Sequence, residues 1–387
     1  MTDRPDHPFD GPEERVDVRS APAPRGGRAS ARPSRRALRW LVPLVAVGVV
    51  ATLASGVLSS AEASPDLPPS SASQLLADVA NAKLAAFSGT VVEKASLGLP
   101  ELPDLGGDGA DGGPLSLLTG SHTIRVWYGG PSKQRVALLS QLGEQDAFRD
   151  GTQLWTWDST TRTASHATLP ADAATSPTSP QTPGLTPEQA AQQVLALIGP
   201  STTLSTDGVR TVAGRAAYVL VLQPKDSRSL IGEVRIAVDG KTKIPLSVQV
   251  FARGGAHPAM DVSFTRFDES APSEANFAFT PPPGATTKQL GVDGSRASDG
   301  TVSPDVTVSG SGWTSVVKIT GLPAPAEWES GGKQAGVLAD ALSPVSGPWG
   351  SGRLFSSTLL SGLITSDGTA YLGFVGPDLL YQAAESH

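Results

Sequence analysis

The longest apolar stretch in this chain is a run of 22 uncharged residues, Trp40 to Ala61 (WLVPLVAVGVVATLASGVLSSA). A bilayer core needs about 20 apolar residues in a helix, so the run is long enough to span one. Beyond it the apolar positions become periodic. Leu75, Leu76, Val79, Ala82, Ala86 and Phe87 recur at helical spacing behind Ser73, which predicts a helix over Gln74–Phe87. From Gly89 the period shortens to two, predicting strands at Gly89–Glu93, Thr123–Tyr128, Gln134–Ser140, Asp146–Arg149 and Gln153–Asp158. Asp150-Gly151 reads as the hairpin turn before the last of these. After a Pro/Thr/Ser stretch, Thr186 caps a second helix, with Pro187 at its first position and Gln189 completing a capping box.

Five further strands follow: Val209–Val212, Ala217–Leu222, Gly232–Val238, Leu246–Phe251 and Met260–Phe267, with Asp239-Gly240 as another short hairpin turn. Val234, Ile236 and Val238, like Leu246, Val248 and Val250, alternate with Glu233, Arg235, Ser247 and Gln249. Alternation of this kind describes an antiparallel meander with one apolar face. Pro281-Pro282-Pro283-Gly284 closes this region. The tail from Asp305 reads as a small β-rich unit, with strands at Val316–Ile319, Leu354–Ile364 and Ala370–Val375 and a helix near Pro377–Ala384.

The pattern divides the chain into a basic leader (1–39), a membrane anchor or signal peptide (40–63), a main domain (73–288), a linker (289–304) and a C-terminal extension (305–387). Arg25, Arg28, Arg32, Arg35, Arg36 and Arg39 precede the apolar run and hold its N-terminal side in the cytoplasm. The rest is then extracytoplasmic, either tethered in the cell membrane or secreted after cleavage in Ala61-Glu62-Ala63. Ser34-Arg35-Arg36 opens like a twin-arginine signal, but the remainder of that pattern is missing. Leu53-Ala54-Ser55-Gly56 opens like a lipobox, but Val57 stands where the lipidated cysteine would be.

Chemistry is sparse. The chain has no cysteine, which excludes disulfides, thiol catalysis and Cys-ligated metals. A net charge of −7 over the whole chain, with the leader its only strongly basic segment, argues against nucleic-acid binding. Asp104, Asp108 and Asp111 lie in a Gly-rich insert without calcium-loop spacing. His7, His122, His166, His257 and His387 are isolated, so no metal ligand set is visible. There is no GxSxG elbow and no phosphate loop, so neither an enzyme nor a cofactor is expected. The aromatics offer more. Trp127, Trp155 and Trp157 either line an apolar pocket or fill the core, and Trp155 and Trp157 share one strand face.

Several segments, taken in order, resemble the LolA/RseB-like superfamily of bacterial envelope proteins, and within it the actinobacterial outer-membrane lipoprotein carriers (LolA-like). They are Phe87-Ser88-Gly89-Thr90, Trp127-Tyr128-Gly129-Gly130-Pro131 with Gln134-Arg135-Val136, and Asp150-Gly151 with Leu154-Trp155-Thr156-Trp157-Asp158. Val221-Leu222-Gln223-Pro224, Val238-Asp239-Gly240 with Ile244-Pro245-Leu246, and Phe277-Ala278-Phe279-Thr280-Pro281-Pro282-Pro283-Gly284 complete the set, over roughly Ser73–Lys288.

The resemblance implies an α+β fold, a strongly curved antiparallel half-barrel sheet with helices on its concave face. It also implies that the apolar face, including Val234, Ile236 and Val248 with Trp127, Trp155 and Trp157, holds lipid or lipoprotein acyl chains. Arg135 is the positional counterpart of an arginine that gates the family's helical lid; otherwise it is an exposed strand arginine. The alternative role within the same family is an RseB-like sensor that binds a membrane protein such as an anti-sigma factor. The leader, the Gly/Asp insert and the C-terminal extension depart from the family pattern.

Overall fold

The computed structural model describes residues 67–82, 84–98, 119–140, 143–169, 199–290, 305–322 and 342–386. The Trp40–Ala61 run, nearly all of the Gly/Asp insert and the helix expected after Pro187 lie outside these residues. No helix among the described residues is long and apolar enough to cross a membrane.

Helix α1 (Ala72–Asn81) is capped by Ser71, whose hydroxyl accepts the Gln74 amide at 3.2 Å. It buries Leu75, Leu76 and Ala77. Each buried leucine contributes on the order of 2 kcal/mol. The helix begins two residues earlier than the spacing predicts and ends well before Phe87. Phe87 instead opens strand β1 (Phe87–Ser96), because its ring has partners there: Tyr128 at 5.3 Å, Phe267 at 5.5 Å and Phe264 at 6.3 Å between centroids. Three aromatic contacts and a strand paired on both sides outweigh one more helical turn.

Strands β2 (Thr119–Tyr128), β3 (Lys133–Leu139), β4 (Glu144–Asp150), β5 (Gln153–Asp158) and β6 (Thr163–Thr168) form a first meander after β1. Strands β7 (Thr202–Val212), β8 (Arg215–Pro224), β9 (Ile231–Asp239), β10 (Pro245–Ala252) and β11 (Pro258–Asp268) form a second. The meanders fuse where β1 pairs with β11, and β12 (Thr286–Gln289) adds to β6 in parallel. The result is one twelve-stranded sheet in the order β12-β6-β5-β4-β3-β2-β1-β11-β10-β9-β8-β7. The two edge strands do not pair with each other, so this curved sheet is not closed into a barrel.

Gly89 makes the junction possible. A Cβ there would lie 2.5 Å from the Phe264 ring, which crosses β1 at this point. Two turns divide the expectations. Asp150-Gly151 makes its tight turn with Gly151 at φ 59. The Asp239 turn is wider than a two-residue hairpin. The Asp239 carboxylate accepts the Lys241 and Thr242 amides, the Thr242 hydroxyl and both arms of Arg215, and the left-handed residue is Lys243 at φ 63.

Two strands of the large sheet went unseen in the sequence, for different reasons. β6 (TASHAT) has small and polar residues where an alternating strand would show bulk. The residues of β12 are all exposed and polar, and they straddle the boundary between the expected main domain and the linker.

The C-terminal unit is a six-stranded sheet in the order β13-β14-β18-β17-β16-β15. Its strands are β13 (Asp305–Ser309), β14 (Val316–Thr320), β15 (Ser343–Gly347), β16 (Gly350–Ser356), β17 (Ser361–Thr365) and β18 (Ala370–Gly373). Helix α2 (Pro377–Glu385) buries Leu380 and Ala384 against it. The unit touches the large sheet through bonds from the Leu230 amide to the Phe374 carbonyl, the Trp313 indole to the Thr202 hydroxyl, and the Thr358 amide to the Leu97 carbonyl.

Candidate functional site

Strand pairing sorts the side chains of the large sheet onto two faces. In-register partners share a face, so Val91 stands with Ile124, Leu138 and Gln145 across β1 to β4. The next row runs Gly89, Val126, Val136, Ala147, Thr156 and Ser165, with Lys288 on β12. On the other side of β1 the same face carries Val262, Val248, Ile236 and Leu220. Leu75 and Leu76 of α1 pack with these last residues into the main apolar cluster, and Leu359, Trp313 and Phe374 join from the C-terminal unit.

The expected site residues divide between the two faces. Val234, Ile236 and Val248 lie on the apolar face, where Val234 and Val248 are buried and Ile236 partly so. Trp127, Arg135 and Trp155 project from the opposite face in register with one another and with Phe148, and Trp157 projects from that face one row along, opposite Asp146.

There Arg135 is held between the rings of Trp127 and Phe148, at 4.6 and 4.8 Å, and donates to Asp146 at 2.8 Å and Glu144 at 3.2 Å. Burial pushes the Asp146 carboxyl up to about 6, against the pull of Arg135. Phe279 lies on this aromatic floor, 4.7 Å from Phe148, 5.5 Å from Trp155 and 6.0 Å from Trp157. Trp155 also stacks on His166 at 4.2 Å. The tryptophans thus hold down the returning segment 277–289, with help from a Lys133–Glu274 ion pair and the Arg162 bond to the Pro283 carbonyl. Arg135 bonds carboxylates of β4.

What remains open is on the apolar face. Over β3 to β6 it borders a cavity of about 540 Å³, floored by Val136, Leu138 and Ala147 and rimmed by Gln145, Asp158, Thr163, Ser165 and Lys288. Asp146 and Trp157 also border it. Val136 is 41% exposed. Such a volume is in the range that small ligands occupy.

One charged group sits at the inner end of this face. Glu93 is fully buried, beside Val262 on one neighbouring strand and His122 on the other. Its Oε2 lies 2.9 Å from His122 Nδ1, and its Oε1 has no partner. Burial raises the Glu93 carboxyl to about 7 and lowers His122. The signal for it was available, because period-two spacing from Val91 already places Glu93 on the inner face. No group of three or more His, Cys, Asp or Glu side chains suited to a metal exists among the described residues.

No family model matches the chain, and no curated protein matches it in sequence. Among solved structures it is similar to the MucA/MucB complex of Pseudomonas aeruginosa, at 15% identity and a TM-score of 0.42, over 81% of this chain and 96% of that one. It is also similar to an uncharacterized conserved protein from Thermus thermophilus (14% identity, TM-score 0.32, 57% and 99% of the two chains). A third is a LolA superfamily protein from Nitrosomonas europaea (11%, TM-score 0.21, 55% and 99%). At these identities and TM-scores the likenesses carry no argument about what this chain does.

Proposed function

We propose that this chain is a non-catalytic binding protein of the cell envelope that holds an acyl chain of a lipid or lipoprotein against the apolar face of its large sheet. The carrying observation is the cavity over Val136, Leu138 and Ala147, which continues the apolar face beyond the part sealed by α1. Binding energy there comes from removing methylenes from water, about 0.8 kcal/mol each. The polar rim of Asp158, Lys288 and the threonines suits a headgroup left at the mouth. The domain works outside the cytoplasmic membrane, near it if Trp40–Ala61 is retained as an anchor and away from it if that segment is cleaved.

The sensor reading has one observation of its own. Leu359, Trp313 and Phe374 of the C-terminal unit enter the apolar cluster of the large sheet, so a ligand that displaced them would alter how the two units are joined. Mass spectrometry of organic extracts from the purified full chain separates the roles. Co-purifying acyl species support the carrier. Their absence, with a membrane protein recovered in pull-downs, transfers support to the sensor.

A further inference from the structure

The two rows of side chains that cross the cavity change character along their length. One runs Val126, Val136, Ala147, Thr156, Ser165 and Lys288, from β2 to β12. The other runs Ile124, Leu138, Gln145, Asp158 and Thr163, from β2 to β6. Both begin in the packed apolar cluster at β2 and end in hydroxyls and charge. Four strand spacings separate β3 from β12, on the order of 19 Å along the sheet. An elongated ligand, apolar at one end and polar at the other, matches both ends of that gradient.

The charges bordering the cavity are not equivalent. Asp158 is engaged by its own turn and a neighbour: Oδ1 accepts the Thr160 and Thr161 amides at 2.8 and 2.9 Å, and Oδ2 accepts the Gln145 side-chain amide at 3.2 Å. Asp146 is bonded to Arg135 on the opposite face. Lys288 is the one cation bordering the cavity among the described residues, and its ammonium makes no ion pair or hydrogen bond with any of them. In the same row the Thr156 and Ser165 hydroxyls also make no hydrogen bond among the described residues. A lysine on an edge strand discourages pairing with another sheet. That role would be served equally well from the opposite face, away from these hydroxyls and the apolar floor.

Resting on the acyl-binding reading, we propose that Lys288 is a headgroup anchor and that the ligand is a lipid with an oxyanion head, a carboxylate or a phosphate. The tail lies over Ala147, Val136 and Leu138 and points toward β2, and the head meets the ammonium of Lys288 and the hydroxyls of Thr156 and Ser165. All three are donors, and an oxyanion has lone pairs for each. An uncharged ester leaves the ammonium to water, and a cationic head meets like charge. The acyl chains of a lipoprotein, joined through uncharged esters and amides, gain nothing from Lys288. Because the lysine is exposed, its contribution is that of a surface ion pair and weakens with salt.

The test is displacement of an uncharged fluorescent acyl probe, methyl dansyl-undecanoate, from the full chain by laurate, dodecyl phosphate, methyl laurate and dodecylammonium. At low salt the wild-type protein is expected to bind one or both anions about fivefold more tightly than the ester, equivalent to about 1 kcal/mol, and dodecylammonium least well. The tighter anion identifies the head as carboxylate or phosphate, and the preference shrinks as salt is raised. Lys288→Arg keeps the preference, Lys288→Gln brings the ratio to about one, and Lys288→Glu turns it toward dodecylammonium. Methyl laurate binds all of these proteins alike, which also reports that the variants fold. Equal binding of anions and ester by the wild type, or a preference for anions kept in Lys288→Glu, overturns the anchor and leaves acyl binding standing. If none of the ligands displaces the probe, acyl binding itself falls, and the anchor with it.

Discussion

Glu93 and Arg135 are both charged residues of the first meander, yet they lie on opposite faces and in opposite circumstances. Glu93 holds its proton to about 7 in the folded chain against an ordinary value of 4.5, because burial penalises the anion. The folded state therefore binds this proton more tightly than the unfolded chain. Its contribution is complete below about pH 4.5 and is lost as pH rises through 7. A displacement of that size corresponds to roughly 3 kcal/mol. Urea unfolding of Glu93→Gln should show that loss removed, with the variant gaining on the wild type between pH 5 and 8; an unchanged difference across that range would refute the burial account. Arg135 is the counterweight to Asp146 and Glu144, clamped between two rings. Arg135→Ala leaves Asp146 buried without its cation and should cost about 3 kcal/mol in the same measurement. Acyl-probe affinity should stay within about twofold, since the side chain faces away from the cavity.

At the scale of elements, the strands with strong alternation were legible, and those held by their surroundings were not. β5 and β8 to β11 announce themselves because one face is greasy and the other polar, as in GEVRIAV. The polar strand β12 has no such mark. It is ordered because Phe279 anchors the chain ahead of it on Phe148, Trp155 and Trp157, and Arg162 holds Pro283. Phe279→Ala should accordingly cost about 2 kcal/mol, as for removal of a half-buried ring. Amide exchange should then accelerate at Thr286–Gln289 before it does at β5. Exchange that speeds equally in both strands would mean the aromatic floor, not the strap, is what Phe279 supports. The same geometry explains why the tryptophans were ambiguous in sequence. Period two placed Trp155 and Trp157 together correctly, but nothing local says which face of a sheet is the inner one.

For the whole molecule, the two sheets share an interior although most of their residues pack separately. Leu359 lies between β16 and β17 of the small sheet, yet it is 4% exposed within the apolar cluster of the large one. Leu359→Ala should cost about 2–5 kcal/mol and should loosen β1 and β8 as well as its own loop. Amide exchange confined to 357–361 would instead mark the units as independent. This joint was not readable from the chain, because it depends on two distant segments meeting.

The placement of the ligand is the claim on which the rest depends, and photo-crosslinking reads it most directly. A palmitate analogue with a diazirine on its chain, irradiated with the full protein and mapped by peptide mass spectrometry, should label Val136, Leu138 and Ala147 and their neighbours on β3 and β4. Labelling should fade when unmodified palmitate competes. Specific label on Trp127, Trp155 or Phe148 across the sheet, or none that palmitate displaces, would contradict the assignment of the apolar face as the binding surface.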